Sequence, residues 1–220
     1  MTRLAILASG NGTDCEAVLE AVERGQIQNA VVAVIIADRP AVVLERARHH
    51  GVTGVLVDRR TLRKAAYDDI LRDILESNHV DVIVCAGYLS ILAPATVARW
   101  RNRIINVHPS LVPAFCGHGF YGEHVHQAVL DAGVKVTGVT VHFVDEGTDT
   151  GPFILQEAGD RQAVAVLVVA LEPVAVRRDT ELHLHGVEGR PDLAEAACFD
   201  RTATGRKLAD VGLRLDEQPR

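Results

Sequence analysis

Asn106 and His108 are the residues of this chain whose types and spacing most clearly suit catalysis. They lie two positions apart in the mainly apolar segment IINVHPS. Side chains alternate along a β-strand, so an amide and an imidazole at this spacing project from the same face. The amide can donate hydrogen bonds to a developing oxyanion, and the imidazole can exchange a proton near neutral pH. A structural histidine in a turn is the alternative, but the nearby asparagine favours a site.

A second polar segment follows the apolar run around Val141. Thr140 and His142 share one strand face by the same alternation, and the acidic loop VDEGTDT comes next. A carboxylate from this loop placed beside His108 would favour the protonated imidazole. Taken alone, the loop is better interpreted as a solvated acidic turn.

The segment SGNGTD at residues 9–14 joins an apolar run to a helical pattern. Glycines allow close approach of a ligand, and a helix N-terminus offers free N–H groups to an anion such as phosphate. A tight turn with Thr13 or Asp14 as helix cap explains the residues equally well. Cys15 occupies the third glycine position of the dinucleotide-binding pattern, which argues against a nicotinamide oxidoreductase.

Metal binding is a weaker hypothesis. His118, His124, His126 and His142 are available, but His124 and His126 do not share a helix face, and the four cysteines form no CxxC pair. We therefore expect no metal.

The elements that must position these residues follow from hydrophobic periodicity. Strand-like runs alternate with helical spacing, which predicts an α/β fold with a doubly wound, mostly parallel sheet. Ligands bind such sheets at the carboxyl ends of strands, where we expect all three polar segments. The strands are predicted over residues 4–8, 30–37, 55–57, 80–85, 103–107 and about 136–144. The helices are predicted over residues 15–24, 42–50, 61–78, 95–100 and 123–132, with Ala65, Ile70, Ile74 and Leu75 facing inward in the third.

Size and composition limit the class of protein. The chain has 220 residues, 48% of them hydrophobic, and a net charge of −6. These values suit one soluble α/β domain and argue against nucleic-acid binding, which needs a basic face. The first strand begins almost at once, and the apolar run 163–171 is too short to span a bilayer. We expect a cytoplasmic protein with no membrane contact.

Four segments in order resemble the phosphoribosylglycinamide formyltransferases, a family of folate-dependent enzymes. They are SGNGTD, CAGYLSILAP, INVHPSLVPAF and GVTVHFVDEGTDTGPFILQE, and the resemblance runs from about Leu4 to Glu157. It implies a Rossmann-like sheet and formyl transfer from 10-formyltetrahydrofolate, a cosubstrate, to the amine of glycinamide ribonucleotide in de novo purine synthesis. It implies no metal, and a monomer or homodimer.

The resemblance also implies the residues of the site. Asn106 and protonated His108 would stabilise the oxyanion formed by direct attack of the amine, with help from Asp149. Phosphate would bind at Gly12, Thr13 and Asp14, and Glu188 is the candidate for further substrate contact. Folate would bind at Lys64, Leu89, Ser90, Ile91, Leu92, Asn106, Asp145, Glu146, Gly147, Thr148 and Asp149.

Several positions depart from the family. Asp14 stands where the family usually has asparagine, and Lys64 and Ser90 stand where arginine is common. We predict a catalytic core at residues 1–157 and a divergent segment of the same domain at 158–220, for which partial disorder is an open alternative. A catalytically impaired folate or nucleotide binder and a formyltetrahydrofolate deformylase remain alternatives. The short acidic tail argues against a methionyl-tRNA formyltransferase.

Overall fold

The structure is a computed structural model and describes residues 1–159. Its seven strands form one sheet in the order β3-β2-β1-β4-β5-β6-β7, with β1 to β5 parallel and β6 and β7 antiparallel to their neighbours. The strands are β1 Thr2–Ala8, β2 Ala30–Ala37, β3 Gly54–Leu56, β4 Val82–Cys85, β5 Ile104–His108, β6 Gly138–Phe143 and β7 Phe153–Ala158.

Five helices connect the strands within the described part of the chain. They are α1 Thr13–Glu23, α2 Val43–His49, α3 Lys64–Ser77, α4 Pro94–Arg99 and α5 Glu123–Asp131. The predicted α/β class with a doubly wound, mostly parallel sheet is confirmed. No helix among these residues is long and apolar enough to cross a membrane.

The strand β1 shows why residues 4–8 are apolar without interruption. Leu4 and Ile6 belong to the core cluster that includes residues of α1 and α2. Ala5 and Leu7 belong to the cluster that includes residues of α3 and α4. A parallel strand covered on both faces buries every side chain, so its sequence does not alternate.

The inward face predicted for α3 is confirmed for Leu75, which is fully buried, and for Ile74, which packs against the core, but not for the other two residues. Tyr67, Leu71 and Leu75 are its buried residues, whereas Ile70 is 39% exposed and Ala65 is also exposed. The buried residues recur every four positions, which is a single helix face. The prediction had centred the apolar stripe about one residue away, because it did not count the amphipathic Tyr67 as core.

The direction of β6 changes how the acidic loop reaches the site. Phe143 pairs with Ile105, and the Val144 N–H donates to the Ile104 carbonyl at 2.9 Å. The loop after β6 therefore starts beside the beginning of β5, not at the edge where the parallel strands end. This corrects the expectation that every polar segment follows a strand end on the binding edge; the loop returns along the sheet to bring its residues there.

Candidate active site

A cleft of about 970 Å³ opens where β1, β4 and β5 end. Its wall contains the glycine turn after β1, the loop after β4, the end of β5 and the acidic loop. The predicted catalytic residues Asn106, His108 and Asp149 all line this cleft.

His108 is buried, with 4% of its surface exposed. Its Nε2 lies 2.8 Å from the carbonyl oxygen of Phe115. A carbonyl only accepts, so Nε2 carries a hydrogen and donates it, an assignment made from the bonding partner. Nδ1 lies 3.6 Å from Oδ2 of Asp149. The ring can therefore take up a proton on Nδ1 opposite a carboxylate.

Asn106 pairs with His142 across β5 and β6. The Nδ1 of His142 lies 2.9 Å from the Phe143 carbonyl oxygen, which must accept from it. In the neutral ring, Nε2 then accepts a hydrogen bond from the Asn106 amide nitrogen at 3.1 Å. The contact fixes which end of the Asn106 amide faces His142.

Asp149 lies between the two histidines. Its Oδ1 is 3.6 Å from Nε2 of His142, and its Oδ2 accepts the Gly117 N–H at 2.9 Å. Burial pushes the pKa of Asp149 up, but the adjacent His142 ring, the Gly117 N–H and the positive charge that either histidine carries when protonated outweigh it. The net pKa of Asp149 lies below its ordinary value, so this site holds a carboxylate.

The acidic loop is braced by its own side chains. Asp145 accepts hydrogen bonds from the Gly147 N–H at 3.0 Å and the Thr150 hydroxyl at 2.7 Å. Glu146 pairs with Arg101 at 2.6 Å. The five predicted folate residues of this loop, Asp145, Glu146, Gly147, Thr148 and Asp149, all line the cleft.

The glycine turn enters α1 through Gly12, whose φ of 71° is left-handed and which forms no side-chain cap. Of the three predicted phosphate residues, Asp14 lines the cleft, whereas Gly12 and Thr13 do not; Gly10 and Asn11 line it instead. Burial raises the pKa of Asp14. The turn itself thus borders the cleft, one or two residues earlier than predicted.

The loop after β4 contributes Leu89, Ser90, Ile91 and Leu92 to the cleft. The Ser90 hydroxyl donates to the fully buried Asp38 at 2.5 Å. The Ser90 Oγ is therefore already hydrogen-bonded to a residue that does not line the cleft.

Lys64 is the predicted folate residue that the structure does not bring to the cleft. It is the first residue of α3 and is exposed. The helix turns Tyr67 and Leu71 into the core, and this docking leaves Lys64 at the surface. The predicted substrate residue Glu188 lies outside the described residues, as does nearly all of the predicted segment 158–220.

The charged residues that line the described part of the cleft are unusual for the phosphate-binding site that the sequence predicts. Its lining residues within 1–159 include no lysine or arginine. Five carboxylate residues line it, and its possible cations are His108, His118, His126 and His142. Over the same residues, no group of three or more His, Cys, Asp or Glu side chains is placed to hold a metal ion.

Sequence reasoning placed His142 on a strand face and weighed it only as a metal ligand, with no role in catalysis. It also passed over Asp38, which joins the strand end of β2 to Ser90. A histidine aligned with Asn106 across two strands can be found only when the pairing of β5 with β6 is known. Asp38 had a usable signal, since an acidic residue ending a fully apolar strand is costly to bury without partners.

Comparison with known proteins identifies the family. A model of the family described as "Formyl transferase" matches residues 2–163. The phosphoribosylglycinamide formyltransferase of Bacillus subtilis is 37% identical over 160 residues, which are 72% of this chain and 79% of that protein. The trifunctional purine biosynthetic protein adenosine-3 of Bos taurus is 37% identical over 158 residues, 71% of this chain but 15% of that much longer protein.

Solved structures agree. Glycinamide ribonucleotide transformylase 1 from Symbiobacterium toebii superposes with a TM-score of 0.74 at 35% identity, covering 80% of this chain and 88% of that one. The family match at residues 2–163 includes the seven described strands and the segments that carry Asn106, His108 and Asp149. The chain belongs to the formyl transferase family, alongside the phosphoribosylglycinamide formyltransferases.

Proposed function

We propose that this protein transfers a formyl group from 10-formyltetrahydrofolate to the amine of glycinamide ribonucleotide, a step of de novo purine synthesis. The observation that carries the proposal is the convergence of Asn106, His108 and Asp149 on one cleft, in a chain whose relatives bear the name of this activity. The catalytic roles below are part of the proposal.

The amine attacks the formyl carbon, and a tetrahedral oxyanion forms. Asn106 has two amide hydrogens and uses one for His142, which leaves the other for the oxyanion. His108, protonated on Nδ1, supplies the second donor. The carbon–N10 bond of the folate then breaks, and the proton lost by the amine passes to N10, directly or through water.

Asp149 maintains the charge on His108. Its carboxylate is 3.6 Å from Nδ1, which is close enough to stabilise the imidazolium by charge but too long for a tight hydrogen bond. The Nδ1 hydrogen therefore stays available to the reacting oxygen. Asp149 can also accept the proton of the attacking amine, because its lowered pKa keeps it ionised.

Substrate binding follows from the rest of the cleft. The N-terminus of α1 offers backbone N–H groups and a positive dipole end to the ribonucleotide phosphate. Leu89 and Ile91 are 42% and 55% exposed, which suits an apolar wall for the pterin ring. The same proposal includes a catalytic core at residues 1–157 and a monomer or homodimer. It also includes a cytoplasmic location and no nucleic-acid partner.

The dinucleotide oxidoreductase alternative is further weakened at the end of β2. An acidic residue there would have to accept the ribose hydroxyl. Asp38 occupies that place, but it is fully buried and already accepts hydrogen bonds from Ser90 and from both Arg39 Nε and Nη2. Its complete burial keeps a ribose hydroxyl from reaching it.

The test is a turnover assay with 10-formyltetrahydrofolate in the presence and absence of glycinamide ribonucleotide. Transfer requires the ribonucleotide, whereas a deformylase releases tetrahydrofolate without it, and an impaired binder shows binding but no turnover. We expect His108→Ala and Asp149→Asn each to lower kcat by about a hundredfold or more. Asp73→Asn, an exposed carboxylate on α3, is the matched control. Near-normal rates in both site variants would refute the mechanism.

A further inference from the structure

Helix α2 supports the glycine turn directly. The Val43 N–H donates to the Gly10 carbonyl at 3.3 Å, and a Cβ on Gly12 would lie 2.6 Å from the Val43 side chain. Arg46 Nε donates to the Asn11 carbonyl at 2.6 Å. Three consecutive turn residues therefore contact one helix, and the position of α2 sets the position of the turn.

A chain of alternating charges holds α2 onto α1. Arg46 pairs with Glu16 in the first turn of α1 at 2.9 Å. The two nitrogens of His50, the C-cap of α2, lie 2.9 Å from Glu16 and 2.6 Å from Glu23, near the end of α1. Carboxylates only accept, so His50 must carry hydrogens on both nitrogens to satisfy both contacts. This charge chain of Arg46, Glu16, His50 and Glu23 extends to the glycine turn through the Asn11 carbonyl.

The other elements packed on α2 leave this charge chain undisturbed. Besides α1, the helix packs against β2 and β3, and neither strand contains a charged residue. On α1, Asp14 lines the cleft, and Glu20 pairs with Arg24 just after the helix. On α2, Glu45 is exposed, and Arg48 bonds to His49. The charged groups facing His50 are thus Glu16, Glu23 and, through Glu16, Arg46.

We propose that Arg46 and His50 are positioning residues for the phosphate subsite, and that the proton on His50 tightens binding of the ribonucleotide phosphate at the glycine turn. This inference rests on the proposed function. Neither residue lines the cleft, so both act through the turn and not on the substrate itself.

The direction of the pH effect follows from the contacts. Hydrogen bonds to Glu16 and Glu23 raise the pKa of His50. The stabilisation is therefore complete below the ordinary histidine value and is lost as the pH rises through the raised value. A neutral ring has one N–H and can satisfy one carboxylate only. Glu16 then depends on Arg46 alone, and the Arg46 contact to the Asn11 carbonyl weakens.

The test compares the wild type with His50→Gln, which is always neutral, and His50→Lys, which stays charged. The Michaelis constants for glycinamide ribonucleotide and for 10-formyltetrahydrofolate are measured from about pH 6 to 9. We expect the wild type to match His50→Lys at low pH and to approach His50→Gln at high pH, with a ribonucleotide KM about two- to fivefold higher in the neutral form. Any titration of the substrate affects all three proteins equally, so it cancels when their KM values are compared at the same pH.

Comparing the change in the ribonucleotide KM with the changes in the folate KM and kcat distinguishes a positioning role from general damage to the protein. The folate KM and kcat should change little in either variant, and Arg46→Gln should raise the ribonucleotide KM while Arg46→Lys partly restores it. Equal ribonucleotide KM values for the wild type and His50→Gln at every pH would overturn the inference, as would an equal rise in the folate KM.

Calorimetric titration with ribose 5-phosphate makes the test independent of turnover. If the wild type has no ribonucleotide-dependent turnover, the proposed function fails, but the same pH-dependent difference in ribose 5-phosphate affinity between His50→Lys and His50→Gln would still support the positioning role. Identical affinities in the two variants would overturn that role whatever the outcome of the kinetic assay.

Discussion

The side-chain amide of Asn106 donates a hydrogen bond to Nε2 of His142 at 3.1 Å, across the pairing of β5 with β6. His142 is itself held by the Phe143 carbonyl through Nδ1, so Nε2 is the acceptor in the neutral ring. Asn106 alone could rotate its amide and present oxygen to the reacting carbonyl, which would repel the oxyanion. His142 prevents that rotation.

Replacing His142 removes the acceptor that orients the Asn106 amide. The change should therefore lower kcat strongly and affect substrate binding little. We expect His142→Ala to reduce kcat by about ten- to hundredfold, the scale of one misoriented oxyanion donor, with little change in either KM. His142→Gln offers a carbonyl oxygen in a similar place and should recover part of the loss. A KM increase with unchanged kcat would contradict this orienting role. Steady-state kinetics on both variants make the measurement.

The carboxylate of Asp149 should remain charged across the working pH range. Its pKa lies below the ordinary value, so its charge is present above that value and is lost only as the pH falls through it. We expect the ratio of kcat/KM between the wild type and Asp149→Asn to stay well above one down to about pH 5.5. A ratio that falls towards one near pH 6 would mean that Asp149 protonates there.

Periodicity predicts the central elements well because their burial is nearly complete. The run 30–37 was predicted as a strand and is β2, Ala30–Ala37, since β-branched residues buried on both faces give a clear signal. The strand β7, at the edge of the sheet formed by residues 1–159, was not predicted from its residues. Its burial is mixed, and half-exposed edge strands lack both a continuous apolar run and a strict alternation.

The site was less predictable than the fold because it depends on pairings between distant segments. Alternation within one segment suffices to place Asn106 and His108 together. The position of Asp149 depends on an antiparallel strand and a returning loop, in which Gly151 lies so close to the Phe143 carbonyl that a Cβ would meet its oxygen at 1.8 Å. Neither feature can be inferred from residue types.

Ser90 gives a test that separates a folate contact from a structural one. Its hydroxyl donates to Asp38, and although burial alone raises the pKa of Asp38, hydrogen bonds from Arg39, Ser90 and Ser9 lower it below its ordinary value. We expect Ser90→Ala to destabilise the fold by about 1–3 kcal/mol and to leave the folate KM within about threefold. Ser77→Ala, at the exposed end of α3, is the control for chemical denaturation. A large rise in folate KM with unchanged stability would favour direct contact.

Gly12 should be the glycine of the turn that tolerates a side chain least. Its φ is +71°, and an added Cβ would lie 2.6 Å and 2.8 Å from two side-chain carbons of Val43. Gly10, two residues earlier, has nothing within 4 Å of the same added atom and is not among the residues of positive φ. The two positions therefore differ in strain and in space while sharing the same turn.

We expect Gly12→Ala to lower the free energy of unfolding by about 1–3 kcal/mol, from left-handed strain and the contact with Val43. Gly10→Ala should cost less than about 1 kcal/mol. Thermal and chemical denaturation of both variants measure the difference. Combining Gly12→Ala with Val43→Ala tests the cause, because Val43→Ala removes the nearer carbon, Cγ2, and Gly12→Ala should then cost less than it does in the wild type. Equal losses in the two single variants would show that α2 does not press on the turn at this point.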